Sequence, residues 1–450
     1  MKRDANDILR GRGVDGLREA FDNASPQSPK CNDTPTAGVQ LEDFYAYMVE
    51  HRYIFAPTRQ IWPAASVDAR LRPVGNVKAS AWLDKNRPVE QMTWAPGEPT
   101  EISDRLIAEG GWFPRPGCRV FNQYRAPIIE PRGGDAEPWL RHVRLLYGGD
   151  AEHIIRWLAH RVQRPFEKIN HALVLGGKQG VGKDTLLEPV KQAVGPWNFF
   201  EVSPQQVLGR FNGFLKSVIL RVSEARDLGE FDRFAFYEHM KQYTAAPPDV
   251  LRIDEKNRAE YSVPNVTGVV ITTNHKSDGI YLPADDRRHF VAWTDLDKSA
   301  FTPEYWATLW DWYDSGGCQI VAGYLLRLDL TAFNPKQPPP QTEAFFEIVN
   351  SSRAPEDAEL ADALEALGRP DTVTVSQIIE ITDQSTLAEF LRDRRNSRRI
   401  PHRLEASEYV PVRNPDAKDG LWKISGRRQV IYAKDSLAQS ERLAAARNVR

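Results

Sequence analysis

Apolar residues recur at three- and four-residue steps along "WLRHVRLLYGGDAEHIIRWLAHRVQRP", where Ile154, Leu158 and Val162 share one face with Ile155 and Trp157 beside it. That period predicts helices laid against a core. Immediately afterwards the period disappears. "HALVLGG" reads as a buried strand, Val218 to Val222 within "KSVILRVSEARD" is a largely apolar run, and "TGVVITTNHK" supplies another strand. Between about 172 and 295 such strands alternate with helical segments, which predicts an α/β layer with a mainly parallel sheet. Two short strands around 250–253 and 260–263 flank the polar tip "DEKNR" and predict a hairpin.

Outside this region the pattern weakens. Residues 1–40 pass into "NASPQSPKCNDTPTAG", which has too little apolar surface to offset ordering and is expected to be a disordered tail. From 41 to 132 aromatics mix with frequent Pro and Gly, the pattern of a small mixed α/β domain with short strands. The ATPase-like region with its preceding helices is placed at 133–330. The triple proline at 338–340 favours an extended connection, so 331–370 is expected to be a linker with a helical connection. A further folded unit is expected at 371–435, then a tail at 436–450.

Composition narrows the picture. A chain of 450 residues implies two or three domains, since single cores stop growing at roughly 250 to 300 residues. With 59 basic and 61 acidic side chains, any nucleic-acid contact must come from local patches. Cys31, Cys118 and Cys318 lie far apart, which supports neither a zinc knuckle nor a disulfide framework and points to a reducing compartment. No run approaches the roughly 20 apolar residues of a membrane span, and the first residues are too polar for a secretory leader. A soluble, cytoplasmic protein is expected.

The chemistry concentrates in "LVLGGKQGVGKDT". Strand, glycine-rich turn and a helical "DTLLEPVKQAV" follow in the order of a phosphate-binding loop made of Gly177, Gly180, Val181, Gly182, Lys183, Asp184 and Thr185. The glycines let backbone amides approach phosphate oxygens, Lys183 reaches the β and γ phosphates, and the helix N-terminus adds its positive end. A plain glycine turn is the alternative. The pattern G-x-x-x-x-G-K-[ST] asks for a hydroxyl where Asp184 stands. A carboxylate is still a hard-oxygen ligand for Mg²⁺, and Thr185 substitutes only if the loop shifts by one residue. Glu224, at the end of the second strand, is the candidate general base and further metal-site carboxylate. Asn274 ends the third strand, suited to contacting the γ phosphate or the water, or else serving as a turn residue. Arg287 and Arg288 precede another strand, either as a solvated pair or as an arginine supplied to a neighbour's phosphate.

Taken in order, the P-loop, the strand ending in "SE", the Lys-containing segment, "TTN" and "DRR" resemble a superfamily 3 helicase. More closely they resemble the helicase part of phage, prophage and plasmid primase-helicase proteins, over about 135–300, and "RPVEQMTWAPGEPTEI" is similar to sequence upstream of such ATPase domains. The resemblance implies an AAA+-like P-loop core acting as a homo-hexamer on single-stranded DNA, normally 3′ to 5′, with ATP and Mg²⁺ as cofactors. It makes Lys183 the P-loop lysine, Glu224 the acidic residue of the second motif, Asn274 the sensor and Arg287 or Arg288 the finger acting across a subunit boundary. It also makes the hairpin a DNA-gripping element, with Lys256 and Arg258 at its tip and Lys241 earlier in the same motif. Asp184 and Ser223 depart from the family pattern and put the rate of hydrolysis in question.

A short helix, a second helix carrying Arg392, Arg394, Arg395, Arg398 and Arg399, and a hairpin with Lys423, Arg427 and Arg428 predict a winged-helix-like DNA-binding domain. Its alternative is a solvated charged face. Two other functions compete: an ATP-binding initiator or loader with little hydrolysis, and a P-loop kinase. No D-x-D on a strand before residue 135 supports priming, so a separate primase is an expected partner.

Overall fold

The computed structural model describes residues 38–223, 229–276, 279–351, 355–383, 385–393, 396–397, 400–424 and 426–449. The expected tail therefore lies almost wholly outside the described residues. So do Glu224, Arg394, Arg395, Arg398 and Arg399.

The chain divides into two units, Met1–Val89 and Glu90–Arg450. In the first, β1 (Phe44–Tyr47), β2 (Arg52–Phe55) and β3 (Gln60–Trp62) form an antiparallel meander, and β4 (Pro88–Val89) joins β1 in parallel. Helices α1 (Ala64–Arg70) and α2 (Ala79–Asn86) bury Val67 and Leu83 against Phe44 and Tyr53. The stretch expected as one domain, 41–132, is thus cut between Val89 and Glu90.

The second unit opens with a three-stranded sheet in the order β5 (Gln91–Thr93), β7 (Gly111–Asn122), β6 (Glu101–Ala108). Next come the two amphipathic helices, α3 (Glu137–Tyr147) and α4 (Ala151–Gln163), with Trp139 and Trp157 fully enclosed. The central sheet has five strands: β8 (Ala172–Gly177), β9 (Phe199–Val202), β10 (Ile219–Val222), β13 (Gly268–Thr273) and β14 (His289–Thr294). They lie in the order β14-β8-β13-β10-β9, and every pairing is parallel. β8 and β13 are buried at every position, as strands covered on both faces must be.

Around the sheet run α5 (Glu188–Val194), α6 (Gly229–Thr244), α7 (Pro303–Trp312), α8 (Cys318–Arg327) and α9 (Glu343–Ser351). The expected hairpin is β11 (Val250–Ile253) with β12 (Tyr261–Pro264). Part of the expected linker packs on the core: the Thr342 hydroxyl donates to the Val291 carbonyl at 2.6 Å, and Phe345 and Ile348 are buried. The prolines at 338–340 lie in neither helix nor strand.

Beyond it, α10 (Pro355–Ala366), α11 (Val375–Ile381), α12 (Thr386–Arg392) and α13 (Ile400–Ala406) share a core through Leu360, Val373, Ile378, Leu387 and Leu404. A three-stranded antiparallel sheet, β15 (Thr372–Thr374), β19 (Ile431–Lys434) and β16 (Tyr409–Val412), packs with them, and β17 (Trp422–Ile424) pairs with β18 (Arg427–Gln429). The expected second helix stops at Arg392, short of the arginine run. Asp393 is extended, and the Asn396 side-chain amide takes the Phe390 carbonyl that a further turn would have used. The expected tail 436–450 carries α14 (Gln439–Arg447), whose Ala446 is buried.

Candidate nucleotide site

The carboxyl edge of a parallel sheet is where ligands bind in α/β folds, and here β8 delivers the glycine loop to that edge. Gly182 is required twice over. Its φ is +91°, and a Cβ there would stand 2.5 Å from Trp306 Cη2 and 2.7 Å from His142 Cε1. Val181 is fully buried and pins the loop to the core, while Gly177 ends the strand. Gly180, Gly182, Lys183, Asp184 and Thr185 line an open cleft of about 470 Å³, whose lining also includes Ser223 and Asn274.

Lys183 Nζ donates to the Gly177 carbonyl at 2.5 Å, the Lys178 carbonyl at 2.8 Å and Asn274 Oδ1 at 2.7 Å. Burial pushes its ammonium below the ordinary lysine value, while the neighbouring Asp184 charge works the other way. The structure therefore brings together two of the predicted residues, Lys183 and Asn274, from adjacent parallel strands. Ser223 follows β10 at the cleft wall; Glu224, the next residue, lies outside the described residues.

The helix after the loop departs from expectation. It was expected from Asp184, and the regular helix begins at Glu188. Pro189 cannot donate to the carbonyl of Thr185, which accepts the Tyr313 hydroxyl at 3.2 Å instead, and the Leu186 carbonyl accepts Trp139 Nε1 at 2.9 Å. The first residue of the regular helix therefore stands beyond the loop.

Sequence reasoning missed four features of this edge. Arg221, inside β10, pairs with the Asp184 carboxylate and with Glu201 at 3.3 Å, so the residue that departs from the loop pattern has a built-in counter-charge. An arginine inside the otherwise apolar "VILRV" was the available signal. His142, on α3, is fully buried. Its Nε2–H must donate to the Gly182 carbonyl at 3.1 Å, since a carbonyl only accepts, and Nδ1 accepts the Tyr305 hydroxyl at 2.8 Å. Burial holds this imidazole below its ordinary pKa. The last two, Trp306 and Trp310 of α7, line the cleft as well.

For a divalent cation the donor set fits in part. Mg²⁺ is bound through one or two carboxylates with waters and substrate phosphates making up the rest. Asp184, its side chain 68% exposed, has one oxygen on Arg221 and lines the cleft with Thr185. Among the described residues no group of three or more His, Cys, Asp or Glu is arranged to hold a metal.

Arg287 and Arg288 line a different pocket, of about 420 Å³, together with Lys241, Phe234, Tyr237 and Tyr281. Asp286 builds the turn that carries them. Its carboxylate accepts the amides of Arg288 at 2.9 Å and His289 at 3.0 Å, His289 Nδ1 at 3.0 Å and the Tyr237 hydroxyl at 2.8 Å. Burial acts to raise its pKa, yet His289, the Arg288 amide and Tyr237 outweigh that and hold it at about 2. Lys241 thus joins the arginine pair and not the hairpin.

At the hairpin tip Asp254 pairs with Arg210 at 3.0 Å and Glu255 with Lys216 at 2.7 Å, so the acidic half of the tip is neutralised from below. Lys256 is exposed; Arg258 is half-buried. In the C-terminal region Lys423 faces Arg428 across the β17–β18 hairpin with Arg427 beside them, all exposed, and Arg428 pairs with Asp419 at 2.7 Å.

No described helix is long and apolar enough to cross a membrane. No curated protein matches the chain. A family of unknown function (DUF5906) matches residues 175–288, from the end of β8 to the arginine pair. Among solved structures, the chain is similar to the apo C-terminal region of NrS-1, with a TM-score of 0.56 at 14% identity over 85% of this chain and 93% of that one. An A-form apo structure of the same region gives 0.55 at 16% identity over 87% and 96%. A structure of JCV helicase overlaps much less, with a TM-score of 0.28 at 12% identity over 52% of this chain and 64% of that one. This chain, a mixed α/β fold with a five-stranded parallel sheet, is therefore similar in fold to the NrS-1 C-terminal region.

Proposed function

We propose that this chain is an ATP-dependent DNA helicase of superfamily 3, acting as a homo-hexamer in the replication of a phage, prophage or related mobile element. The observation that carries the reading is Lys183 held between the loop carbonyls and Asn274 at the carboxyl edge of the parallel sheet. A bound polyphosphate would replace the two carbonyls as partner of the ammonium, with Asn274 beside it to register the γ phosphate. Mg²⁺ would neutralise charge on the β and γ oxygens, with Asp184 as its protein ligand. Glu224 is assigned the water. Arg287 or Arg288, set in a separate pocket, fits an arginine offered to the neighbouring subunit's nucleotide. The exposed Lys256 tip is assigned to single-stranded DNA, and the β17–β18 hairpin with the helices before it to duplex DNA as a winged helix.

The test is ATP hydrolysis with and without single-stranded DNA, in wild type, Lys183→Ala, Glu224→Gln and Asp184→Ser. DNA-stimulated turnover is expected in wild type and absent from the first two variants. The Asp184–Arg221 pair favours one second reading, an initiator or loader that binds ATP and hydrolyses little. Tight ATP and duplex binding without turnover or strand displacement in wild type would select it.

A further inference from the structure

The phosphate reading leaves two aromatic residues of the cleft lining, Trp306 and Trp310, unassigned. They line the same space as Lys183, Arg221 and Asn274. Thr302 caps α7 through the Tyr305 amide, and the two tryptophans are four residues apart, on one side of the helix. Trp306 is locked in place. Its ring lies 5.0 Å from Phe301, 5.3 Å from Tyr305 and 5.6 Å from His142, and its edge meets Gly182 of the loop. Trp310 stands edge-on to Tyr313 at 5.5 Å and is 41% exposed. A cleft lined by cations, loop amides and an indole surface fits an amphipathic ligand, anionic in one part and flat and aromatic in another.

We infer that Trp310, which shares the cleft lining with Trp306, is the platform on which the base of a nucleoside triphosphate stacks while Lys183 holds its phosphates. This rests on the phosphate-binding reading above and adds where the nucleoside goes. Stacking recognises the π-face that every base presents, so it gives affinity with little choice among bases. ATP and GTP should bind within about threefold of each other, and inorganic tripolyphosphate, which has no base, about tenfold more weakly.

The experiment is calorimetric titration of the full chain with ATP, GTP and tripolyphosphate in Mg²⁺, for wild type, Trp310→Ala and Trp310→Phe. The expected result is about tenfold weaker ATP binding in Trp310→Ala, unchanged tripolyphosphate binding, and recovery of most ATP affinity in Trp310→Phe. Unchanged ATP binding in Trp310→Ala overturns the platform and leaves the phosphate site standing. Equal weakening of ATP and tripolyphosphate also overturns it, by making Trp310 a support of the loop. A wild type that binds neither ligand overturns this inference together with the function on which it rests.

Discussion

The candidate nucleotide cleft and the arginine pocket both carry cations, and they treat them in different ways. In the cleft the cations already have partners: Lys183 has two carbonyls and Asn274, and Arg221 has Asp184 and Glu201. In the pocket Lys241 pairs with Glu238 and lies over the Tyr237 ring at 4.8 Å, while neither Arg287 nor Arg288 has an ion pair among the described residues. The first arrangement holds the cleft's cations in place, because an unpaired half-buried cation is costly. The second carries its arginines on the turn that Asp286 builds, with Asp285 and Glu238 in the same lining but no ion pair to either arginine among the described residues.

The comparison breaks most sharply at the arginine pair. If one of them acts across a subunit boundary, replacing it with Ala lowers turnover by roughly 10³-fold, the lower range for an arginine finger, with ATP affinity unchanged. Mixing that variant with Lys183→Ala should restore part of the activity, since some boundaries then combine an intact loop with an intact arginine. A mixture no more active than its components would place the arginine in its own subunit's site. Next in size is Asp286→Ala, which strands the Tyr237 hydroxyl and two amides in a buried turn and should cost about 3 kcal/mol in a urea titration. The folded pKa of about 2 lies below the ordinary carboxylate value, so this stabilisation is full above about pH 4 and lost as pH falls through about 2. ATP affinity should survive that substitution, because the cleft draws on none of these bonds. A parallel loss of ATP binding would join the two sites into one unit.

What was legible in the sequence was local. The loop is a run of neighbours, Asn274 ends an unbroken apolar strand, and the hairpin announces itself by a polar tip between two short strands. What was not legible depends on residues brought together from afar. The sequence shows that Arg221 sits in an apolar strand but not that Asp184 and Glu201 flank it, and Asp286 looks like one more surface acid in "ADDRR" until its bonds are seen. The division between units was hidden for a different reason. Glu90 alone separates β4 from β5, so no linker composition marks the change of sheet. The second C-terminal helix was overextended because arginines are good helix formers, and the side-chain amide of Asn396 that ends it lies beyond the last helical residue.

The smallest effect reads the balance of charge in the cleft itself. Asp184 is mostly exposed and Arg221 largely enclosed, so their pair is worth no more than about 1 kcal/mol after solvent screening. Without Mg²⁺, Asp184 sets a negative charge where an anionic ligand must sit, and Asp184→Ser removes it while releasing Arg221 toward the cleft. ATP should then bind about threefold more tightly in EDTA, a gain that shrinks or reverses in Mg²⁺, where the carboxylate becomes a ligand to the cation. In Asp184→Ser/Arg221→Leu the gain in EDTA should disappear, because no cation is left to be released. Weaker ATP binding by Asp184→Ser under both conditions would mean that the carboxylate holds the loop in shape, and the cleft would then owe its order to that bond more than to Lys183 and Asn274.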